Sequence, residues 1–417
     1  MPNSSDVAVL IVGGGMITHD QILPSVWHMQ RNGRVGRVAV CASRRSTLAT
    51  LASSSTLHEA FPEQSFDWWP AHDGPPQPDL YRDAIASLPP GSIVVAAVPD
   101  QLHFAVVMAA LDRGHHVCCV KPLVLRYAEA LEIERAAYGR GLVVGIEYHK
   151  RFDDRSLMAR RKYRAGLFGE FRLGTARLME KWYYRHSNFQ NWCTMENSDA
   201  FAYIGCHYVD LVAFITGLEP VAVSVYGIRD RYPNGNEGYL WTDARVIWNN
   251  GAALNVQNTL SFPDAGAGPN TQGLTMYCKG PDNGAMLDHS DQYRGLKYAY
   301  TRASGDPGST VYAEPSPDYF QYVDLGGPGL APVGYGYRSV EFILAQCMRV
   351  GAEGDLSRRQ EMLRELDAQG IMSTPANSSY NERLLEAARQ SILHGGVQID
   401  VAPAQFTETV SYKKSSR

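Results

Sequence analysis

A histidine is the side chain whose ordinary pKa lies closest to neutrality, so it suits proton transfer at physiological pH. His207 sits in a run, Asp199 to Thr216 (DAFAYIGCHYVDLVAFIT), that reads as a helix opened by Asp199 as its N-cap. Tyr203, His207 and Asp210 fall at i, i+4 and i+7 and share a face, beside an apolar stripe of Ile204, Leu211, Val212 and Ile215. A lone histidine next to such a stripe is usually a satisfied core residue. A tyrosine and an aspartate at helical spacing strengthen the case for a working site. Lys121 is the second candidate. The chain has 8 lysines against 31 arginines, and the first lysine closes the apolar run His116–Val120, directly before Pro122.

Two further segments are dense in groups that bind polar ligands. Glu180-Lys-Trp-Tyr-Tyr-Arg-His186 directly precedes the candidate helix and reads as a substrate loop, with Lys181, Arg185 and His186 as candidate ligands; a plain surface loop is the equal alternative. Tyr148-His149-Lys150-Arg151 follows a sixth strand-like run and should reach the same cleft, with His149 as the contact.

The elements that must position these groups alternate. Val7–Val12 is an unbroken apolar run, as in a strand buried on both faces. It ends in Gly13-Gly14-Gly15-Met16-Ile17-Thr18, and a helix-like segment follows through Gln30, with Pro24 expected to restrict or break its early part. Val35–Cys41 is the second strand. This is the βαβ unit of a dinucleotide site: Gly13 permits the turn, and Gly15, with Met16 and Ile17, lets backbone N–H groups approach a pyrophosphate. Thr18 holds the third glycine position. At the end of the second strand no carboxylate awaits a ribose 2′-OH. Ser43 and Arg44 stand there instead, which favours a 2′-phosphate and hence NADP over NAD. Strands at 92–98, 116–120 and 142–146 alternate with helices at 103–112 and 129–139. They bring Ala97, Pro99, His103, Lys121 and Pro122 to the carboxyl edge, where open parallel sheets bind ligands.

After residue 150 the pattern changes. Period-two stretches at 222–226, 244–248 and 253–257 and Asn-Gly turns predict a largely antiparallel sheet with one helix-covered face. Twenty of the 23 tyrosines follow residue 140; most should fill the core or an interface, and some could stack on sugar faces. The expected fold is therefore α/β: a Rossmann doubly wound parallel sheet over 1–150, then a substrate-binding and oligomerisation domain over 151–417 with a large open sheet. A helix at about 377–391 is expected to pack back towards the first domain. A weakly alternating tail, 397–412, is expected to add an edge strand.

Composition excludes other classes. The net charge of −4 argues against a nucleic-acid binder. No run of 18 apolar residues predicts a membrane span. Seven cysteines without CxxC spacing read as free thiols of a cytoplasmic protein, with no metal site expected.

A glycine turn, a later K-P dipeptide at a strand end and G-x-H-x-x-D near residue 205, in this order, resemble the Gfo/Idh/MocA oxidoreductases over roughly residues 7–395. The resemblance implies that Lys121 binds the reacting hydroxyl near the nicotinamide, that His207 is the general acid/base, and that Asp210 is the following aspartate, more often structural and here also a candidate substrate contact. Val120 replaces the motif's usual glutamate, and Tyr203 replaces an aspartate that many members carry four residues before the histidine. It further implies a homodimer or homotetramer built on the open sheet. In such a site His207 would take the hydroxyl proton and Lys121 would stabilise the developing alkoxide, with Tyr203 donating to substrate or orienting His207. The leading expectation is an NAD(P)-dependent dehydrogenase or reductase for a secondary hydroxyl of a sugar, polyol or glycoside. A redox-neutral NAD-dependent glycoside hydrolase on the same scaffold is the alternative, and a non-catalytic nucleotide sensor is the third reading.

Overall fold

In the computed structural model the apolar runs of the first third become short strands buried along most of their length. Residues 7–181, 188–263, 271–290, 298–301, 310–313 and 318–404 are described. β1 (Val9–Val12), β2 (Val38–Cys41), β3 (Asp67–Trp69), β4 (Ile93–Ala96), β5 (His116–Val120) and β6 (Val144–Glu147) form one sheet, in the order β3-β2-β1-β4-β5-β6. Every pairing in it is parallel. The order reverses between β1 and β4, which opens a crevice outside their carboxyl ends.

Strands buried on both faces need a cover on each. One cover is local: Val106, Val107 and Ala110 of helix His103–Asp112 pack with Leu10 and Val94. The other is partly remote. Val26 and Met29 of helix Leu23–Arg31 share a core with Val9, Ile11 and Cys118, and so do Val340, Ile343, Leu344 and Cys347 of helix Tyr335–Gly351. The chain thus returns to the first sheet after building the second.

The second sheet contains β7 (Glu170–Lys181), β8 (Pro220–Arg231), β9 (Glu237–Trp248), β10 (Ala253–Phe262), β11 (Thr271–Lys279) and β12 (Gly284–Ser290). Short pairs follow, β13 (Tyr298–Thr301) with β14 (Thr310–Ala313) and β15 (Gln321–Val323) with β16 (Ala331–Val333), then β17 (Ile399–Asp400). Among the described residues the order is β12-β11-β7-β10-β9-β8-β17. All pairings in this sheet are antiparallel except β7 with β10, which is parallel. Alternate residues are buried along β7 and β11, so one face is packed and one is open. Helix Tyr380–Leu393 covers the packed face, where the Ser391 hydroxyl accepts from the Val225 N–H at 2.8 Å. The same helix reaches the first sheet's cover, since the Tyr127 N–H donates to Glu386 at 3.4 Å. The expected tail strand reduces to β17 at the edge of β8, and residues beyond 404 lie outside those described. No described helix is long and apolar enough to cross a membrane.

Candidate functional site

The glycine turn is built by contacts the sequence only hints at. Gly13 has φ +112°, and a Cβ there would lie 2.0 Å from the Ala97 carbonyl oxygen, so no other residue fits between β1 and β4. Gly15 is exposed and faces open space. Met16 and Ile17 begin the helix, and a π turn, Thr18–Ile22, leads into Leu23–Arg31. Thr18 explains the missing third glycine: it is fully buried, and its hydroxyl donates to the Gly13 carbonyl at 2.6 Å, closing the turn from within. Pro24 does not break the helix as expected. It sits just after the π turn Thr18–Ile22, so the early part of the helix is widened rather than ended. An open cradle of backbone N–H groups at a helix start fits a dinucleotide pyrophosphate.

Around this cradle, Ala97 is buried and Pro99 begins a short turn over Asp100–Leu102. Ser43 and Arg44 are exposed at the end of β2. Neighbouring Arg45 is engaged elsewhere, 4.3 Å from the Trp68 ring and hydrogen-bonded to the Ala71 carbonyl. His103 corrects an expectation. It is fully buried, with Nδ1 2.7 Å from the Pro122 carbonyl and Nε2 2.9 Å from that of Val98. Two carbonyls on opposite nitrogens occupy the ring, so it braces the Lys121–Pro122 turn rather than touching a cofactor.

Lys121 meets the candidate helix directly. Its ammonium donates to the Tyr203 carbonyl and lies 3.9 Å from the centre of the Tyr203 ring. That ring is held by Phe189 and Trp192, with centroids at 4.8 and 5.7 Å. The helix is not uniform: Phe201–Gly205 is a π turn and Cys206–Thr216 is α-helical. Such widened turns recur at functional sites. Asp199 accepts from the Ala202 N–H at 2.8 Å, capping the entry as expected. Gly205 is tight against β10, because a Cβ would lie 2.5 Å from Asn258 Oδ1.

His207 is buried, and its Nδ1 has no hydrogen-bond partner among the described residues. Burial, followed by the charges of Lys121, His149 and Lys150, holds its pKa well below the usual histidine range. Its ring stands 4.7 Å from that of His149 and 6.1 Å from Tyr148. His149 Nδ1 lies 3.1 Å from Glu147 Oε2. Glu147 Oε1 accepts from Gln21 Nε2 at 2.8 Å and from the Ser339 hydroxyl. Gln21 Oε1 accepts from Tyr319 at 2.7 Å, and Tyr319 and Tyr335 stack about His149 with centroids at 5.0 and 5.6 Å.

Other expected site residues fall elsewhere. Asp210 does not face the cleft. It is 1% exposed and accepts from Arg151 at 2.7 and 2.6 Å, from Tyr380 at 3.0 Å and from Asn381 at 3.0 Å. It anchors the helix, so the substrate-contact expectation is corrected. Lys181 ends β7, with its ammonium 5.7 Å from the Phe262 ring. Arg185 and His186 lie outside the described residues. The sequence reading missed Glu147, Gln21, Tyr319 and Tyr335. Glu147 carried a signal, a Glu-x-His at a strand's carboxyl end. The tyrosines carried none, because their positions follow from how a late segment returns.

Comparison with known proteins agrees with this geometry. Residues 7–148 match a family profile described as an oxidoreductase family with an NAD-binding Rossmann fold. The chain is 26% identical over 223 residues to D-glucoside 3-dehydrogenase of Escherichia coli, covering 52% of this chain and 56% of that protein. It is 27% identical over 146 residues to 2,7-anhydro-N-acetylneuraminate hydratase of the same organism, covering 35% and 39%. It therefore spans little more than half of the first relative's length and less of the second's. A crystal structure of scyllo-inositol dehydrogenase from Lactobacillus casei with bound NAD(H) and scyllo-inositol shares the fold at a TM-score of 0.61 and 14% identity, over 95% of this chain and 99% of that one. The glycine turn, the crevice at the β1/β4 reversal and the profile match agree that residues 7–148 form an NAD-binding Rossmann unit similar to that of the Gfo/Idh/MocA oxidoreductases.

Proposed function

We propose that the protein is an NAD(P)-dependent dehydrogenase or reductase acting on a secondary hydroxyl or keto group of a sugar, polyol or glycoside. The observation that carries this reading is the junction of Lys121 with Tyr203, which draws the cofactor edge of the first sheet onto the helix of His207. The similarity to a glucoside dehydrogenase supports the carbohydrate class. Bound at the cradle of Gly13, Gly15, Met16 and Ile17, the nicotinamide cofactor supplies the hydride acceptor or donor. Ala97, Pro99 and Pro122 would flank it.

The chain's own residues do the rest. His207, kept neutral by its surroundings, has a lone pair for the hydroxyl proton. Lys121 offers a positive charge where alkoxide character develops, so its attraction is strongest in the transition state. Tyr203 fixes Lys121 through its carbonyl and ring. Tyr319 and Trp192, both partly exposed, offer aromatic faces suited to a sugar's C–H surface. Lys181, Arg185 and His186 remain proposed substrate contacts, as does His149. Ser43 and Arg44, with no carboxylate at the end of β2, support NADP over NAD.

The open sheet face exposes Leu173, Tyr226, Ile228, Tyr277 and Met286, which supports a homodimer or homotetramer. Buried free thiols support a reducing cytoplasm. A redox-neutral reading is favoured only by the hydratase relative.

The experiment is mass spectrometry of the co-purifying nucleotide, then a panel of myo-inositol, scyllo-inositol, D-glucose and methyl D-glucosides with NAD+ and NADP+, read by absorbance and product analysis. Net nicotinamide reduction supports the dehydrogenase. Product release without it supports the redox-neutral enzyme. Nucleotide binding with neither sinks both.

A further inference from the structure

We propose that His149, oriented by Glu147, is where the substrate's hydroxyl proton comes to rest, with His207 as the group that hands it over. The inference rests on the dehydrogenase reading and deepens it. The usual carboxylate four residues before the histidine is replaced here by Tyr203, whose ring and carbonyl are occupied with Lys121. A carboxylate reaches the site from the opposite wall instead. Glu147 lies at the end of β6, 2% exposed, and its Oε2 faces His149 Nδ1 at 3.1 Å. A carboxylate accepting from Nδ1–H fixes the tautomer and leaves a lone pair on Nε2. Glu147 cannot swing away, because Gln21 and Ser339 donate to its other oxygen.

Ring centroids 4.7 Å apart, with no direct hydrogen bond between the rings, leave His149 and His207 close enough for transfer through one intervening water. The two rings differ in what they face. His207 looks onto Lys121, Lys150 and His149, which oppose a positive charge on it. His149 is faced by Glu147 from its own segment, by His207 from the helix, and by Tyr319 and Tyr335 from the returning segment. Only Glu147 among these is a carboxylate in hydrogen-bond contact.

The step balances. The carbinol C–H bond breaks, with its electron pair passing as hydride to the oxidised nicotinamide. The O–H bond breaks and the carbon–oxygen double bond forms. His207 takes the proton and passes it on, so His207 ends neutral and His149 ends as an imidazolium beside the Glu147 carboxylate. Reduction runs the same path backwards.

The test compares wild type with His149→Asn, which keeps a donor for Glu147 but cannot titrate, and with Glu147→Gln. For His149→Asn, kcat should fall at least about tenfold with KM changed by less than about threefold. NADP+ affinity by calorimetry should hold. In Glu147→Gln kcat should fall likewise, with KM changed by less than about threefold. Histidine 15N NMR on the substrate-free protein should place the neutral His149 proton on Nδ1. Raised KM with unchanged kcat in His149→Asn would make His149 a substrate contact only and overturn the proposal, as would an Nε2–H tautomer. Wild type that reduces no nicotinamide with any panel alcohol overturns the dehydrogenase reading itself, while the NMR result decides the Glu147–His149 pairing separately.

Discussion

His207 and His149 stand with ring centroids 4.7 Å apart and 39° between their planes, although 58 positions separate them in sequence. One comes from the helix Cys206–Thr216, the other from the turn after β6. In the proposed reaction the hydroxyl lies where they meet, and Lys121 approaches the same helix from the end of β5.

Lys121→Ala should lower kcat/KM at least about tenfold, the usual lower bound for removing a group that stabilises developing charge. Steady-state kinetics on the best substrate of the panel checks it. Turnover at the wild-type rate would remove Lys121 from the mechanism.

Asp210→Asn should destabilise the fold rather than impair substrate binding. The substitution leaves the Arg151 guanidinium, 2% exposed, without its counter-charge. Losing one partner of a buried pair costs about 3–5 kcal/mol. Denaturant unfolding should show that loss. A raised KM at unchanged stability would restore Asp210 to the substrate site.

Arg44→Ala should weaken NADP+ binding by about tenfold, the scale of one charge-assisted hydrogen bond, and leave NAD+ nearly unaffected. Calorimetry with both nucleotides decides. Equal loss for the two would mean that Arg44 holds no 2′-phosphate.

Glu382 gives a pH-dependent prediction. It is fully buried, and burial above all, with the nearby Asp210 charge adding to it, raises its pKa to about 8. A carboxyl whose folded pKa is raised is protonated in the fold and ionised when unfolded. Its effect on stability is nil below the unfolded value of 4.5 and grows unfavourable as pH rises towards 8. Glu382→Gln should therefore raise Tm at pH 8 and change it little at pH 4.5, the gain growing by roughly 1.4 kcal/mol per pH unit between. A gain independent of pH would show that Glu382 is ionised in the fold.

The legible parts of the sequence were those governed by local rules. Unbroken apolar runs such as Ile93–Ala96 can only be strands of a covered sheet, and the glycines after Val12 mark the turn. Lys121 and His207 were visible because residue type and spacing both pointed to them. The orientation of Asp210 was not legible, because helical spacing places it near the face of His207 while Arg151, Tyr380 and Asn381 decide where it points. His103 sat at the right strand end, but the carbonyls of Val98 and Pro122 occupy it. Tyr319 and Tyr335 could not be placed at all, since they reach His149 only through the return of residues 319–351 to the first sheet.

The amide of Gln21 draws out what that return means. It bonds to Glu147, Gly336 and Tyr319, partners 126, 315 and 298 positions away along the chain. Contacts of such separation close the longest loops in the molecule and are slow to form. A chain emerging from synthesis holds all six parallel strands and the glycine turn long before Tyr319, Ser339 and the helix Tyr335–Gly351 that covers part of that sheet exist. The surroundings of His149 are thus completed only by the last quarter of the polypeptide.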